Sequence, residues 1–123
     1  KQIQDLKHLK KLTKLIGTKF FLINSSQREH LHLAAVLVNN FTNHLFVEAD
    51  IICRQNKLSF DLLKPLLKET IEKLNKLSPK ESQTGPAIRK DSETISKHLK
   101  LIAKNRLKEI YKVLTSAIQE NND

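Results

Sequence analysis

The 123-residue sequence contains no methionine, no tryptophan, two glycines and one cysteine. Gly17 and Gly85 are too far apart for a three-glycine dinucleotide fingerprint or a glycine-rich phosphate loop, which excludes nucleotide sites of these types. Cys53 has no partner for an internal disulfide, and without a His/Cys cluster there is no zinc framework. The longest apolar run, Leu33–Val38, is far shorter than the ~20 residues of a membrane-spanning helix. These absences predict a cytoplasmic setting, with no metal and no membrane partner.

The chain has 22 Lys and Arg against 13 Asp and Glu, a formal net charge of +9. A basic helical nucleic-acid-binding module is therefore one hypothesis. However, all but four of the basic residues are lysines, whereas paired hydrogen bonds to bases or phosphates favour arginine. The aromatic residues mostly occupy apolar helical positions and do not interleave with the basic ones. The composition therefore favours solvated lysine faces over a nucleic-acid partner.

The first 24 residues have the pattern of a helix followed by a strand. Apolar residues from Ile3 to Ile16 recur at helical spacing, and Gly17 is placed to end the helix. Phe20–Ile23 is a short unbroken apolar run, typical of a buried strand in a parallel sheet, but no second strand follows. Because the chain also lacks methionine, we expect a segment of a longer protein in which residues 1–24 end a truncated Rossmann-like α/β domain.

The remaining residues, 25–123, have helical patterns throughout. Ser26–Glu29 has the spacing of a capping box, which predicts a long, central and largely buried helix from Gln27 to about Gln55. Further helices are expected after Ser59, after Asp91 and after a break at Lys104-Asn105, with a loop over 78–90. Pro65 should bend its helix or delay its regular start. We therefore predict a mainly all-α chain, with a helical bundle around one long central helix.

Polar residues follow one side of the predicted central helix. At about 100° per residue, four of them lie within about 40° of one line: Arg28, His32, Asn39 and Asn43. Histidine can move a proton near neutral pH, and an asparagine amide can orient a carbonyl or hydroxyl group. These side chains either bond neighbouring helices or line a cavity, and the pattern alone leaves both interpretations open.

The loop Gln83–Asp91 is a second candidate. Its Gly-Pro turn would let backbone approach a ligand closely, and Arg89 could hold an anion near the following helix start. The alternative is a rigid turn followed by an Asp91 cap, with Arg89 on the surface. A substrate rim and a structural turn both stay possible at this point.

Three segments together resemble a known family: Leu31–Phe41, Gln83–Asp91 and His98-Leu99. They look like the C-terminal helical domain, a domain of unknown function, of two-domain Rossmann-like proteins of the NADP-dependent oxidoreductase type. This domain is similar to the C-terminal domain of 6-phosphogluconate dehydrogenase. The resemblance covers about residues 25–118.

The resemblance implies that an N-terminal Rossmann-like domain of the same protein binds NADP, with no cofactor bound by this segment alone. It implies that residues 25–123 form a homodimer and contribute to the cleft for a small-molecule substrate. The catalytic positions implied are His32, Asn39 and Asn40. The substrate-binding positions implied are Thr84, Gly85, Pro86, Arg89 and Asp91. The polar side of the helix adds Asn43 to them.

One departure from the wider superfamily concerns the proton-transfer residue. The hydroxyacid dehydrogenases to which this group is similar place a catalytic lysine four residues before an asparagine of the central helix. Here those positions are Ala35 and Val36, so His32 is the remaining candidate. We expect His32, Asn39 and Arg89 to face one cleft that closes against the nucleotide-binding domain. A purely structural dimerisation or scaffold domain is the other alternative.

Overall fold

The computed structural model describes residues 2–15 and 21–121, and helices dominate them. The elements are α1 Gln2–Leu15, α2 Ser25–Ala35, a π-helical segment Val36–Phe41, α3 Thr42–Gln55, a 3₁₀ turn Phe60–Leu63, α4 Lys64–Lys73, α5 Ser92–Leu101 and α6 Asn105–Glu120. The prediction of a mainly all-α chain is confirmed. In this part of the chain no helix has the length and apolar character needed to cross a membrane.

The strand predicted at Phe20–Ile23 is not formed in the part of it that the structure describes. Residues 21–24 have no regular secondary structure, and Phe20 lies outside the described residues, as do Ile16 and Gly17 at the predicted end of the first helix. A strand is held by hydrogen bonds to a neighbouring strand, and residues 2–15 and 21–121 contain no strand that could pair with it.

The long helix begins at Ser25, and its capping box involves different residues from those predicted. The backbone N–H of Gln27 donates to Asn24 Oδ1 at 2.8 Å, and the backbone N–H of Asn24 donates to Gln27 Oε1 at 2.9 Å. Asn24 has the extended backbone that an N-cap requires, with φ −81° and ψ 176°. The predicted box at Ser26 and Glu29 is therefore wrong, because Ser26 already lies inside the helix.

Helical structure continues from Ser25 to Gln55, but it is α-helical only on either side of residues 36–41. The prediction that this helix is largely buried is wrong: of its side chains only Cys53 is buried. Phe41 keeps 59% of its surface exposed. A helix that is apolar around most of its circumference needs several packed neighbours. The compact unit that holds residues 25–45 contains α1 as its one other described helix.

The chain divides into two compact units, Lys1–Leu45 and Phe46–Asp123. The predicted domain boundary between residues 24 and 25 stays a prediction. In the second unit, Cys53 and Ala87 form the buried core. The Phe46 and Phe60 rings pack with centroids 6.4 Å apart.

The helix starts and breaks that the sequence predicts in the second unit are present in the structure. Ser59 accepts a hydrogen bond from the backbone N–H of Asp61 at 3.2 Å and caps the 3₁₀ turn. Pro65 occupies the first turn of α4, so it delays the regular helix as expected. The loop before Asp91 and the break before Asn105 are also present.

Candidate functional site

The predicted catalytic asparagines, Asn39 and Asn40, lie in the π-helical segment. π turns are rare and occur frequently at functional sites, because their longer hydrogen-bonded loop interrupts the regular α-helix. Thr42 reinforces the segment, since its hydroxyl donates to the carbonyl of Leu37 at 3.2 Å. The sequence therefore places two adjacent amides at the one point where this helix departs from α geometry.

His32 lies in the last turns of α2, and Asn43 lies in the first turn of α3. Both side chains are exposed, as are those of Asn39 and Asn40. The interpretation that these residues bond neighbouring helices in a core is therefore not supported by their environment in the first unit. Exposed imidazole and amide groups are accessible to a ligand or to another domain.

The loop before α5 is held by its own backbone. Gly85 has φ +108°, a conformation that favours glycine, and no atom lies within 4 Å of where a Cβ would be. The carbonyl of Pro86 accepts from the N–H of Asp91 at 2.9 Å, and that of Ala87 accepts from the N–H of Lys90 at 3.1 Å. Ala87 is only 6% exposed. The loop is thus a turn that is stabilised by backbone hydrogen bonds and by the burial of Ala87.

Asp91 caps α5, as predicted. Its Oδ1 accepts from the backbone N–H of Thr94 at 3.0 Å, and its Oδ2 accepts from the Thr94 hydroxyl at 2.8 Å. These hydrogen bonds lower the pKa of Asp91, and the charges of Arg89 and Lys97 lower it further. The helix start is therefore already occupied by a carboxylate. An anionic substrate would have to be held by the exposed guanidinium of Arg89 and not by the α5 N-terminus.

The predicted site residues fall in both compact units. His32, Asn39, Asn40 and Asn43 belong to the first, and the Thr84–Asp91 loop belongs to the second. In the second unit Thr84 is exposed, and Gly85 and Pro86 are half-buried. The roles of all these residues, and the cleft that His32, Asn39 and Arg89 are expected to share, stay predictions.

Two features of the second unit were missed by the sequence analysis. His98 Nδ1 lies 2.8 Å from the hydroxyl of Tyr111, and the two rings meet edge to face with centroids 5.8 Å apart. This contact joins α5 to α6. The sequence signal for this contact is Tyr111 at an apolar position of its helix. A buried or half-buried tyrosine hydroxyl usually has a hydrogen-bond partner, so its presence there predicts a polar side chain nearby.

A cleft of about 310 Å³ is the second missed feature, and its lining residues are Pro79, Lys80, Gln83, Ile118 and Asn121. Gln83 begins the candidate loop Gln83–Asp91, but none of the predicted catalytic or substrate-binding residues is among them. No cluster of three or more His, Cys, Asp or Glu residues that could hold a metal ion occurs within 2–15 and 21–121.

Comparison with known proteins gives both a structural and a sequence relationship. A crystal structure from Bacteroides fragilis, described as that of a "putative NADP oxidoreductase", is 42% identical in sequence and matches with a TM-score of 0.78. The match covers 81% of this chain but only 39% of that one. No curated protein matches the sequence significantly. A family described as a domain of unknown function, DUF2520, matches residues 2–118, and the chain belongs to this family.

Proposed function

We propose that this chain is the helical substrate-cleft and dimerisation domain of a cytoplasmic NADP-dependent oxidoreductase. The observation that carries the proposal is the 42% identity, over 81% of the chain, to a protein described as a "putative NADP oxidoreductase". Because the chain spans 39% of that protein's length, the activity belongs to a larger molecule in which another domain supplies the cofactor site.

The residues of this chain do not fit the diphosphate of a dinucleotide. Such a site needs glycines at a helix N-terminus where free backbone N–H groups meet the phosphates. Gly85 is the glycine nearest a described helix start, but Asp91 already caps that start with its own carboxylate. A negative charge at this position would repel the diphosphate. We therefore assign NADP to a Rossmann-like domain elsewhere in the protein.

The contribution of this chain to the reaction is then to bind and orient the substrate and to move a proton. His32 is a candidate general acid or base, and the amides of Asn39 and Asn40 can orient a carbonyl or imine group. Arg89 would anchor a carboxylate or phosphate by paired hydrogen bonds. Thr84, Gly85 and Pro86 would form the rim beside it, with Asn43 further along the helix.

The assignment of NADP is tested by calorimetric titration of NADPH into two proteins. This chain alone should show no binding in the micromolar range, whereas the protein that joins it to its nucleotide-binding domain should bind. Micromolar binding by the chain alone would contradict the assignment of the cofactor to another domain.

The catalytic role is tested by turnover of the same two-domain protein. His32→Ala should reduce kcat at least ~100-fold if the imidazole is the general acid or base. His30→Ala is the matched control, because His30 is exposed on the same helix and its Nδ1 contacts the Ser26 carbonyl at 2.8 Å. Unchanged turnover in His32→Ala would remove His32 from the site.

A further inference from the structure

The central helix contains two series of residues spaced by four. The polar series is Arg28, His32, Asn40 and His44, with Val36 at the position between His32 and Asn40. The apolar series is Leu33, Leu37, Phe41 and Leu45. In an uninterrupted α-helix four residues exceed one turn by about 40°, so a series of this spacing drifts by about 120° over twelve residues. Neither series would then keep to one side of the helix.

The π-helical segment Val36–Phe41 removes this drift. The hydrogen bond of a π turn joins residues i and i+5, so a π turn contains about one residue more than an α turn. Residues beyond the segment are therefore rotated about the helix axis by roughly 100° relative to their positions in an uninterrupted α-helix. The apolar series then stays within about 40° of one line along the helix. All four of its side chains are exposed, from 38% for Leu45 to 60% for Leu33. The spacing of four is thus the sequence pattern that suits this interruption.

The same rotation changes which polar residues share a line. Asn40 and His44 move to within about 20° of His32, whereas Asn39 and Asn43 move away from it by about 80°. All of these positions lie in the first compact unit. The side chains of His32, Asn40 and His44 are exposed.

We propose that His44 is a further proton-transfer residue of the site described under the proposed function, and that Asn40, rather than Asn39, is the amide that works with it. Asn40 and His44 are one turn apart on one face, where side chains four apart have Cβ atoms about 5–6 Å from each other. A single carbonyl or imine group fits between side chains at this separation.

The chemistry of the pair follows from its groups. When the carbon of a carbonyl or imine receives a hydride, which the NADPH of the proposed function would supply, the electron pair of the double bond moves to oxygen or nitrogen. That atom then takes up one proton, and His44 is the group that would donate it. The side-chain N–H of Asn40 would donate a hydrogen bond to the same atom and orient it. His32 lies two turns from Asn40, about 12 Å along the helix, so its proton transfer would serve a different, more distant group of the substrate than the one held by Asn40 and His44.

The kinetic test uses the two-domain protein, with NADPH and a panel of small 2-oxo acids as probes. His44→Gln should lower kcat by about 100-fold. Asn40→Ala should cause a loss at least tenfold greater than Asn39→Ala. His30→Gln is the control that should stay within about threefold of the unchanged protein, because His30 lies on the side of the helix away from His32.

The register of the helix is tested separately, without a substrate. Couplings measured by NMR across backbone hydrogen bonds should show at least one carbonyl of the 36–41 segment bonded to the N–H of residue i+5, the bond that defines a π turn. Bonds to i+4 throughout would overturn the inference whatever the activity. An active protein with unchanged His44→Gln kinetics would also overturn it and leave the proposed function standing. A two-domain protein that oxidises NADPH with none of the probes would overturn the proposed function, and the role of His44 with it.

Discussion

A single carboxylate determines where α5 begins, and it makes this helix start sensitive to acid. Two hydrogen bonds from Thr94, with the charges of Arg89 and Lys97, lower the pKa of Asp91 in the folded chain. The contribution of Asp91 to stability is therefore fully present above its ordinary pKa in the unfolded chain. It is lost as pH falls through the lower value of the folded state.

We predict that Asp91→Ala lowers the thermal unfolding midpoint by several degrees at pH 7, because the N–H of Thr94 loses its acceptor. The difference from the unchanged chain should begin to shrink below about pH 4, where the carboxylate becomes protonated in the unfolded chain, and it should disappear below the lower pKa of the folded chain. Asp91→Asn is the control, since an asparagine cap keeps an acceptor for Thr94 and has no charge to titrate. Thermal denaturation followed by circular dichroism between pH 2 and pH 7 measures this, and a pH-independent difference for Asp91→Ala would contradict the explanation.

Helix caps were predictable from the sequence where one residue could be identified without ambiguity. Ser59 and Asp91 each precede an apolar helical pattern, and both cap as expected. The start of the central helix was misassigned because two overlapping pairs, Asn24 with Gln27 and Ser26 with Glu29, have the same spacing. Only the backbone conformation of Asn24 decides between them.

At the scale of the element, the existence of the long helix was predictable and its interruption was not. The predicted line through Arg28, His32, Asn39 and Asn43 assumed a uniform 100° per residue, and this rule fails at Val36–Phe41. The signal that could have shown the interruption is the strict spacing of four from Leu33 to Leu45, which an unbroken α-helix does not keep on one side. For the same reason the line drawn through His32 included Asn39 and left out Asn40 and His44.

Deletion of Val38 should convert the π-helical segment into regular α-helix. Val38 is 75% exposed, so little packing is lost, and we expect the free energy of unfolding to stay equal or rise by up to about 1 kcal/mol, the net value of one hydrogen bond. In the shortened chain Asn40 stands seven residues after His32, so the two would stay on one line.

Deletion of Val47 is the matched control, because Val47 is also exposed but lies inside regular α3. Removing it should rotate Phe46 by about 100° relative to the buried Cys53 and cost at least ~2 kcal/mol. Urea denaturation of both chains measures the difference. Equal destabilisation by the two deletions would contradict this prediction, because it would show that removing a residue from the π-helical segment disturbs the fold as much as removing one from a regular α-helix.

At the scale of the whole molecule, burial was the least predictable property. Apolar spacing identifies the side of a helix that is to be covered, but it does not say whether the covering partner belongs to the same chain. Cys53 and Ala87 are the buried apolar residues of the described chain, although apolar residues make up 39% of the sequence. The large apolar area that remains exposed is typical of a surface that binds another protein or another domain.

The proposed homodimer places the apolar series Leu33, Leu37, Phe41 and Leu45 against a second copy of this chain. We expect sedimentation equilibrium to give about twice the chain mass of 14.2 kDa at micromolar concentration. Burying a large apolar side chain contributes roughly 1.5–3 kcal/mol. The double substitution Leu37→Ser with Phe41→Ser should therefore raise the dimer dissociation constant at least ~100-fold.

Leu101→Ser is the control for this double substitution, because Leu101 is 81% exposed but lies on α5, away from the apolar series in sequence. It should leave the dissociation constant within about threefold of that of the unchanged chain. A folded chain that sediments only as a monomer at high concentration would exclude the homodimer, and the apolar series would then be a surface for the nucleotide-binding domain. Since that domain would cover Leu37 and Phe41 within one polypeptide, the same double substitution would lower the unfolding midpoint of the two-domain protein without changing its mass in solution.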